Sequence, residues 1–281
     1  MRIAFLGTPD FAVPTLAALA KEHDIALVVA QPDKPSGRGM RMHAPAVAVK
    51  AKELGLPLIQ PAKIREGLDV IREARPDIGI VVAYGKILPA ALLEIPPHGF
   101  LNVHGSILPK YRGAAPIQRA IERGETETGV TIMRVDIELD HGPMLAVERT
   151  PIGPDERTPD LAARLSHIGA EAMVRTLREA WTETPQDHEQ ATLAPKIEKS
   201  EGAISWDQPA RVIYDKFRAF YPWPGVFAGE LKLIELARAD ATDDGVVVQC
   251  GEGALCVLSV QKPGKSPIRA VDFVRSGGRL S

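Results

Sequence analysis

The sequence predicts an α/β protein with a doubly wound, mostly parallel β-sheet, followed by a small β-barrel domain. Up to about residue 180, short apolar runs alternate with segments whose apolar residues recur every three or four positions, which is typical of a parallel sheet connected by helices. Beyond residue 203 the chain consists mainly of short strand and turn segments, and a barrel is the most economical closure for so many short strands. The helical connections between parallel strands of the first sheet should be right-handed almost without exception, and we therefore expect that sheet to be doubly wound.

Each predicted strand in the first part of the chain is a short apolar run bounded by turn residues. These runs are Arg2–Leu6, Ile25–Ala30, Pro57–Gln60, Ile78–Ala83 and Phe100–Val103. Helical spacing of apolar residues occupies the stretches Phe11–Lys21, Ala46–Leu54 and Glu66–Ala74. Two later β-rich runs, Gly129–Val135 and Met144–Thr150, flank a turn signal and predict an antiparallel extension. Since ligands of doubly wound sheets bind beyond the carboxyl ends of the strands, the loops after these strands are the candidate binding loops.

The stretch Pro159–Trp181 predicts one long amphipathic helix with Pro159 near its first turn. The chain then becomes polar, contains proline and lacks periodicity, which is typical of a linker. We therefore predict an N-terminal domain over residues 1–182, a linker over residues 183–202 and a C-terminal domain over residues 203–281. The C-terminal domain contains a short predicted helix, Ala210–Phe220, and is otherwise strand and turn.

Composition indicates an ordinary globular protein, with 34 Lys+Arg against 36 Asp+Glu and 45% hydrophobic residues in 281. The balanced total hides a local excess of positive charge between Lys34 and Lys52, which contains five cations and no acid. No apolar run is long enough for a membrane span and no secretory signal is visible, so we expect a cytoplasmic protein without a membrane partner. The two cysteines, Cys250 and Cys256, lack the additional ligands of a zinc site, and we expect no metal.

Several common catalytic motifs are missing. Gly37 and Gly39 are followed by Met42 where a dinucleotide-binding fingerprint needs its third glycine. Ser259 stands where a P-loop ending in Gly264-Lys265-Ser266 needs its first glycine, and neither H-E-x-x-H nor G-x-S-x-G occurs. These absences argue against phosphate hydrolysis, hydride transfer by the usual motif and zinc-dependent proteolysis.

Asn102 and His104 lie two positions apart at the end of a predicted strand, and Asn102 is the only asparagine in the chain. Both side chains should leave the same face of the sheet and reach the crevice at its carboxyl edge. A carboxamide that donates to a developing oxyanion, beside an imidazole that handles a proton, suits acyl or formyl transfer. The structural alternative is an asparagine that caps a turn and a histidine that bonds to the backbone.

Asp140 lies in a later turn, where Asp136, Glu138 and Asp140 alternate along the chain. If its carboxylate reached His104, it would fix the tautomer of the imidazole and make it a better proton acceptor. Carboxylates spaced in this way are more often solvated strand positions. The sequence therefore leaves their meeting open.

Two further segments face the predicted crevice. Gly7–Phe11 closes the first strand and opens a helix, so its backbone amides could hold a carbonyl or carboxylate, although a plain tight turn is the simpler interpretation. The loop Asp33–Met42 interleaves cations with Pro and Gly, which suits contact with a phosphodiester backbone. A solvated surface loop is the alternative for that charge run.

Taken together and in this order, these segments resemble the methionyl-tRNA formyltransferase family over nearly the whole chain. The most specific matches are GTPDFA at Gly7–Ala12 and NVHGSILPKYRGAAPIQRAI at Asn102–Ile121. The other matches are QPDKPSGRG at Gln31–Gly39, VVAYGKILP at Val81–Pro89, ETGVTIM at Glu127–Met133, LDHGPML at Leu139–Leu145 and FYPWPG at Phe220–Gly225. The resemblance implies the formyltransferase fold, Rossmann-like, for the first domain and an OB-like, tRNA-binding barrel for the second.

The resemblance also implies roles for individual residues. It makes Asn102, His104 and Asp140 the catalytic residues of formyl transfer to the α-amino group of initiator methionyl-tRNA, without a metal. The co-substrate, 10-formyltetrahydrofolate, would be held by Ser106, Ile107, Leu108, Pro109, Val82, Tyr84, Gly85 and Leu88. The tRNA would be contacted by Lys34, Arg38 and Arg41, and we expect the protein to act as a monomer.

Three other functions remain open from the sequence. The same donor could serve a different amine, such as glycinamide ribonucleotide or an amino sugar nucleotide. Water could replace the amine, which would make the protein a formylfolate hydrolase. A non-catalytic tRNA-binding protein on a degenerate transferase scaffold is the alternative from a different class, and a formyl-transfer assay with charged tRNA separates it from an enzyme.

Overall fold

The structure, a computed structural model, describes residues 1–36, 41–239 and 244–280, and its first compact unit is built on a seven-stranded sheet. The strands of this sheet are β1 (Arg2–Gly7), β2 (Asp24–Val29), β5 (Leu58–Ile59), β6 (Ile78–Val82), β7 (Phe100–His104), β8 (Glu127–Arg134) and β9 (Met144–Pro151). Between β2 and β5, β3 (Lys34–Ser36) and β4 (Arg41–His43) pair with each other as a separate two-stranded sheet. The order across the large sheet is β5-β2-β1-β6-β7-β8-β9.

The centre of this sheet is parallel, as the sequence predicts. β1 pairs in parallel with β2 and β6, and β6 pairs in parallel with β7. β8 runs antiparallel to β7, with His104 opposite Thr131. All five residues of β6 are buried. Helices cover both faces of a parallel sheet, so the side chains on neither face of the strand contact solvent.

The helices begin and end close to the predicted positions, with one instructive difference. The predicted helix over 11–21 is divided into a 3₁₀ turn, Asp10–Ala12, and the α-helix α1, because a proline stands in the first turn of α1 and cannot donate a backbone hydrogen bond. The helices are α1 (Val13–Leu19), α2 (Ala46–Glu53), α3 (Leu68–Glu73), α4 (Ala90–Leu93), α5 (Pro116–Glu122), α6 (Thr158–Arg178), α7 (Ala210–Ala219) and α8 (Ala270–Arg275).

The chain separates into two compact units, and each unit is built from three separate stretches of the sequence. The first contains residues 1–114, 128–150 and 162–194, and the second contains residues 115–127, 151–161 and 195–281. Helix α5 belongs to the second unit, since it packs against α7. The predicted linker is divided between the units, because residues 183–194 belong to the first and residues 195–202 to the second. The boundaries at 182 and 203 stay a prediction.

The second unit is built on a mostly antiparallel sheet. Its strands are β10 (Ala203–Ile204), β11 (Val226–Ala228), β12 (Leu231–Arg238), β13 (Val246–Gln249), β14 (Ala254–Gln261) and β15 (Ile268–Arg269). Their order is β10-β11-β12-β14-β13, with β15 also on β14, and only β10 and β11 pair in parallel. Phe217 of α7 and Phe273 of α8 enter an apolar core with Leu233 and Val257 of the sheet. Closure of this sheet into a barrel stays a prediction.

None of the helices in the described ranges combines the length and the apolar character that crossing a lipid bilayer requires.

Candidate active site

Asn102 and His104 lie at the carboxyl end of β7, beside the loops that follow β1 and β6. Because side chains alternate across a strand, these two share one face of the sheet and Val103 between them takes the other. Val103 faces α6 at Gly169, where an added Cβ would lie 2.6 Å from a Val103 methyl carbon. The glycine therefore permits the close helix packing that supports this end of β7 from behind.

The imidazole of His104 is buried, with 5% of its surface exposed. Its Nε2 lies 2.9 Å from the carbonyl oxygen of Tyr111. A carbonyl oxygen can only accept, so Nε2 carries the proton in this hydrogen bond. Nδ1 is consequently the ring nitrogen that remains free to exchange a proton.

Asp140 brings its carboxylate to that free nitrogen. Oδ2 of Asp140 lies 3.6 Å from Nδ1 of His104 and accepts the backbone N–H of Gly113 at 2.8 Å. A separation of 3.6 Å is too long for a direct hydrogen bond, but a proton on Nδ1 would face the negative charge of Asp140 across a short, largely buried gap. The structure thus joins two predicted site residues that the sequence alone could not place together.

The carboxamide of Asn102 is available to a ligand. In the part of the chain that the structure describes, no hydrogen bond joins this side chain to another protein group, although the residue is half-buried. A half-buried amide on the same strand face as His104 can donate to an oxygen that develops negative charge in the crevice.

The loop Ser106–Pro109 follows β7 and is fixed from below by Thr131. The buried hydroxyl of Thr131 accepts the backbone N–H of Leu108 at 3.1 Å and donates to the carbonyl oxygen of Ser106 at 2.7 Å. The Ser106 hydroxyl donates to the carbonyl oxygen of Lys110 at 2.6 Å. Ser106 and Leu108 are buried, whereas Ile107 and Pro109 are half-buried. The loop is therefore held in place by hydrogen bonds to Thr131 and Lys110.

The loop after β6 contains both buried and accessible residues. Val82 and Tyr84 are both buried, and the Tyr84 ring packs in the apolar core, where burial raises the pKa of its hydroxyl. The carbonyl oxygen of Tyr84 accepts the Thr8 hydroxyl at 2.9 Å, which ties this loop to the one after β1. Gly85 is exposed and Leu88 is half-exposed, so these two predicted residues present accessible surface.

The predicted cationic segment, Asp33–Met42, is described at its two ends, which contribute to the paired strands β3 and β4. Lys34 is exposed and stands opposite His43 in the register, and Arg41 stands opposite Ser36. Arg38 lies outside the described residues. Lys34 is therefore the cation of this segment that the structure shows to be accessible.

Sequence reasoning missed two buried polar residues beside this site, Arg112 and Gln186. Arg112 is 8% exposed and Gln186 is 5% exposed, and their side chains bond to each other. A buried arginine between Tyr111 and Gly113 could have been suspected within the matched segment Asn102–Ile121. Gln186 has no such signal, because it lies in the polar stretch predicted as a linker.

No group of three or more His, Cys, Asp or Glu side chains within the described ranges is arranged to hold a metal ion.

Two family profiles match successive parts of the chain. A family profile described as formyl transferase matches residues 1–177, and one described as formyl transferase, C-terminal domain, matches residues 196–278. The chain is 45% identical to the methionyl-tRNA formyltransferase of Thermus thermophilus over 295 aligned positions, which cover 99% of this chain and 97% of that protein. It is 47% identical to the enzyme of the same name from Deinococcus radiodurans over 283 positions, with coverage of 94% and 89%.

Solved structures of low identity share the fold. An N-formyltransferase from Helicobacter canadensis, in complex with folinic acid and dTDP-3-aminofucose, superposes with a TM-score of 0.71 at 16% identity, covering 92% of this chain and 98% of that one. HypX from Aquifex aeolicus, in complex with tetrahydrofolic acid, gives 0.66 at 17% identity, covering 98% of this chain and 47% of that one. Together with the family profiles, these matches confirm the predicted fold class, a Rossmann-like parallel-sheet domain followed by a domain with antiparallel strands.

Proposed function

This chain belongs to the methionyl-tRNA formyltransferase family, and we propose that it formylates initiator methionyl-tRNA from 10-formyltetrahydrofolate with Asn102, His104 and Asp140 as its catalytic residues. Formylation of methionyl-tRNA is the activity of the family. The observation that supports the residue assignment is the approach of Nδ1 of His104 to Oδ2 of Asp140. On the same face of the strand, the carboxamide of Asn102 makes no hydrogen bond to another described protein group.

The proposed transfer exchanges one carbonyl–nitrogen bond for another. The neutral α-amine of the methionyl ester attacks the formyl carbon, and a tetrahedral oxyanion forms. Asn102 donates a hydrogen bond to that oxyanion, and Nδ1 of His104, when it carries a proton, donates a second one. The bond from the formyl carbon to N10 of the folate then breaks. The proton lost by the amine passes through water, with the pair formed by His104 and Asp140, to N10, so charge and atoms balance without a metal.

The co-substrate is assigned to the two loops that border the crevice. Ser106, Ile107, Leu108 and Pro109 form one side in a conformation already fixed by hydrogen bonds to Lys110 and Thr131. Val82, Tyr84, Gly85 and Leu88 form the other, and because Val82 and Tyr84 are buried they would contribute backbone groups rather than side chains. A preformed cradle of this kind lowers the entropy cost of holding a donor in position for attack.

The tRNA is assigned to the cationic segment, with Lys34, Arg38 and Arg41 as the residues in contact. Each lysine or arginine that contacts a phosphate displaces a counterion from the tRNA. The affinity for tRNA should therefore fall as the salt concentration rises. We propose that the protein acts in the cytoplasm as a monomer. Light scattering of the free protein and of its complex with tRNA tests the monomer directly.

A formyl-transfer assay with purified protein tests the proposal. It compares initiator with elongator methionyl-tRNA as acceptors, and 10-formyltetrahydrofolate with 5-formyltetrahydrofolate as donors. We expect transfer from the 10-formyl donor to the initiator tRNA. Release of formate without formyl-tRNA would indicate a hydrolase, and transfer only to an amino sugar nucleotide would indicate a different acceptor; either result overturns the proposed substrate.

A further inference from the structure

Gln186 uses every hydrogen-bonding atom of its buried carboxamide inside the protein. Nε2 donates to the carbonyl oxygen of Asp140 at 2.9 Å and to that of Gly142 at 2.7 Å. Oε1 accepts from Nε of Arg112 at 3.1 Å and from Nη2 of Arg112 at 2.6 Å. The two donor bonds point at the turn that carries Asp140, and the two acceptor bonds orient the amide from behind.

The turn at Asp140 needs such support. Asp140 has a φ of +48°, a left-handed conformation that residues with a side chain adopt at a cost and that persists when the surroundings impose it. The preceding apolar residues, Ile137 and Leu139, are 77% and 63% exposed and bury little surface that would hold the turn in place. Gln186 supplies two hydrogen bonds to the backbone of this turn, one of them at Asp140 itself.

The residues opposite the turn form a single rigid segment. Tyr111 accepts the Nε2 proton of His104, Arg112 holds Gln186, and Gly113 donates to the carboxylate of Asp140. The backbone of Arg112 is itself fixed on both sides, since its N–H donates to the carbonyl oxygen of Thr192 at 2.8 Å and its carbonyl oxygen accepts the N–H of Ala194 at 2.7 Å. Three consecutive residues therefore locate the imidazole, the carboxylate and the amide that supports the carboxylate.

We propose that Gln186, oriented by Arg112, is a positioning residue that sets the separation of Asp140 and His104 and thereby the rate of the chemical step. The inference rests on the proposed function, in which this pair moves the proton. Gln186 touches no reacting atom; it acts through the backbone at Asp140 and Gly142. A shift of about 1 Å in a reacting group can cost about 100-fold in rate, so loss of the two donor bonds should lower kcat by about 10- to 100-fold.

The substitution Gln186→Glu isolates the donor bonds. A carboxylate has the same size and still accepts from Arg112, but at neutral pH it has no proton to give to the carbonyl oxygens of Asp140 and Gly142. If the side chain served only to accept from Arg112 or to pack against it, Gln186→Glu would leave kcat unchanged. If Gln186 positions Asp140, kcat falls while KM for both substrates stays within about twofold.

The experiment is a double-mutant cycle measured by kcat in the formyl-transfer assay, with Gln186→Glu, Asp140→Ala and the double variant. Once Asp140 is alanine there is no carboxylate to position, so Gln186→Glu should lower kcat by less than about twofold in that background. Gln190→Glu is the matched control, because Gln190 is exposed in the same segment and bonds only locally to Asp187. We expect it to leave kcat unchanged.

The outcomes separate the inference from the function on which it rests. If Asp140→Ala keeps its kcat, the proposed role of Asp140 is wrong. If Asp140→Ala loses kcat but Gln186→Glu does not, or if Gln186→Glu lowers kcat equally in both backgrounds, the positioning role is wrong and the function stands. Should Gln186→Glu unfold, as judged by circular dichroism, Gln186→Asn keeps an amide of shorter reach, and its kcat loss should show the same dependence on Asp140.

Discussion

Nε2 of His104 and the carbonyl oxygen of Tyr111 lie 2.9 Å apart. This bond does more than fix the ring, because it commits one nitrogen of the imidazole permanently as a donor. All proton exchange in the proposed reaction must then pass through Nδ1, on the side where the carboxylate of Asp140 lies. The division between a structural nitrogen and a chemical nitrogen underlies the first prediction.

Asn102→Ala and His104→Ala should abolish formyl transfer without weakening the binding of tRNA. Loss of one donor to an oxyanion costs about 10²- to 10³-fold in kcat, and loss of an acid–base group costs about 10²- to 10⁴-fold. Neither side chain lies on the cationic segment, so Kd for methionyl-tRNA, measured by filter binding, should stay within about twofold. Asn102→Asp keeps the shape but replaces the donor with a negative charge, and it should be at least as inactive as Asn102→Ala. Equal loss of tRNA binding and transfer in these variants would contradict the assignment.

Thr131→Val should loosen the proposed co-substrate loop while leaving the catalytic groups in place. Valine has the shape of threonine but lacks the hydroxyl that accepts from Leu108 and donates to Ser106. The buried N–H and carbonyl oxygen then have no partner, which costs about 1–3 kcal/mol of stability. KM for the formyl donor should rise several-fold more than KM for the tRNA. Thr131→Ser, which keeps the hydroxyl, is the control, and a rise in both KM values together would contradict a role specific to the donor loop.

The sequence predicts the parallel sheet well because each strand is a local apolar run, and it predicts Asn102 and His104 because they share one strand end. It leaves Asp140 undecided, since the approach of that residue to His104 depends on the turn after β8 and on a left-handed residue that no periodicity reveals. Gln186 is invisible for the same reason. Its bonds reach Asp140, Gly142 and Arg112, which are distant in sequence, and its neighbours show only the polar composition of a linker. Long-range polar contacts of this kind need coordinates.

The ion pair between Glu201 and Arg119 should make part of the stability of the second unit depend on pH. Arg119 is buried and donates to the two oxygens of Glu201 at 2.7 and 3.1 Å. That hydrogen bond is the main cause that holds the pKa of Glu201 below its usual value of 4.5, against a smaller opposing effect of burial. A lowered pKa in the folded state stabilises the protein above pH 4.5, and the contribution is lost as pH falls through the folded-state value.

Glu201→Gln should therefore reduce the free energy of unfolding at pH 7 by about 1.5–3 kcal/mol, the range for a hydrogen bond to a charged group. The difference between wild type and Glu201→Gln should shrink as pH falls below 4.5, because the wild-type carboxyl becomes neutral as well. Urea unfolding at several pH values measures it. The exposed Glu230 of the same unit supplies the control Glu230→Gln, and a difference from wild type that stays constant below pH 4.5 for Glu201→Gln would rule out the ion pair as its source.

Gly113→Ala should lower kcat by much more than its loss of folding stability alone would cause. Gly113 has a φ of +124°, and an added Cβ would lie 2.7 Å from the carbonyl oxygen of Ala194, so the backbone must move. That backbone carries the N–H that Asp140 accepts at 2.8 Å, and a displacement near 1 Å should lower kcat by about 100-fold. Gly55→Ala separates strain from position, because Gly55 also has a positive φ, +66°, but its Cβ would meet nothing within 4 Å. Gly55→Ala should lose about 1 kcal/mol in thermal unfolding with kcat unchanged, whereas an equal loss of kcat in both variants would mean that Gly113 matters only for folding.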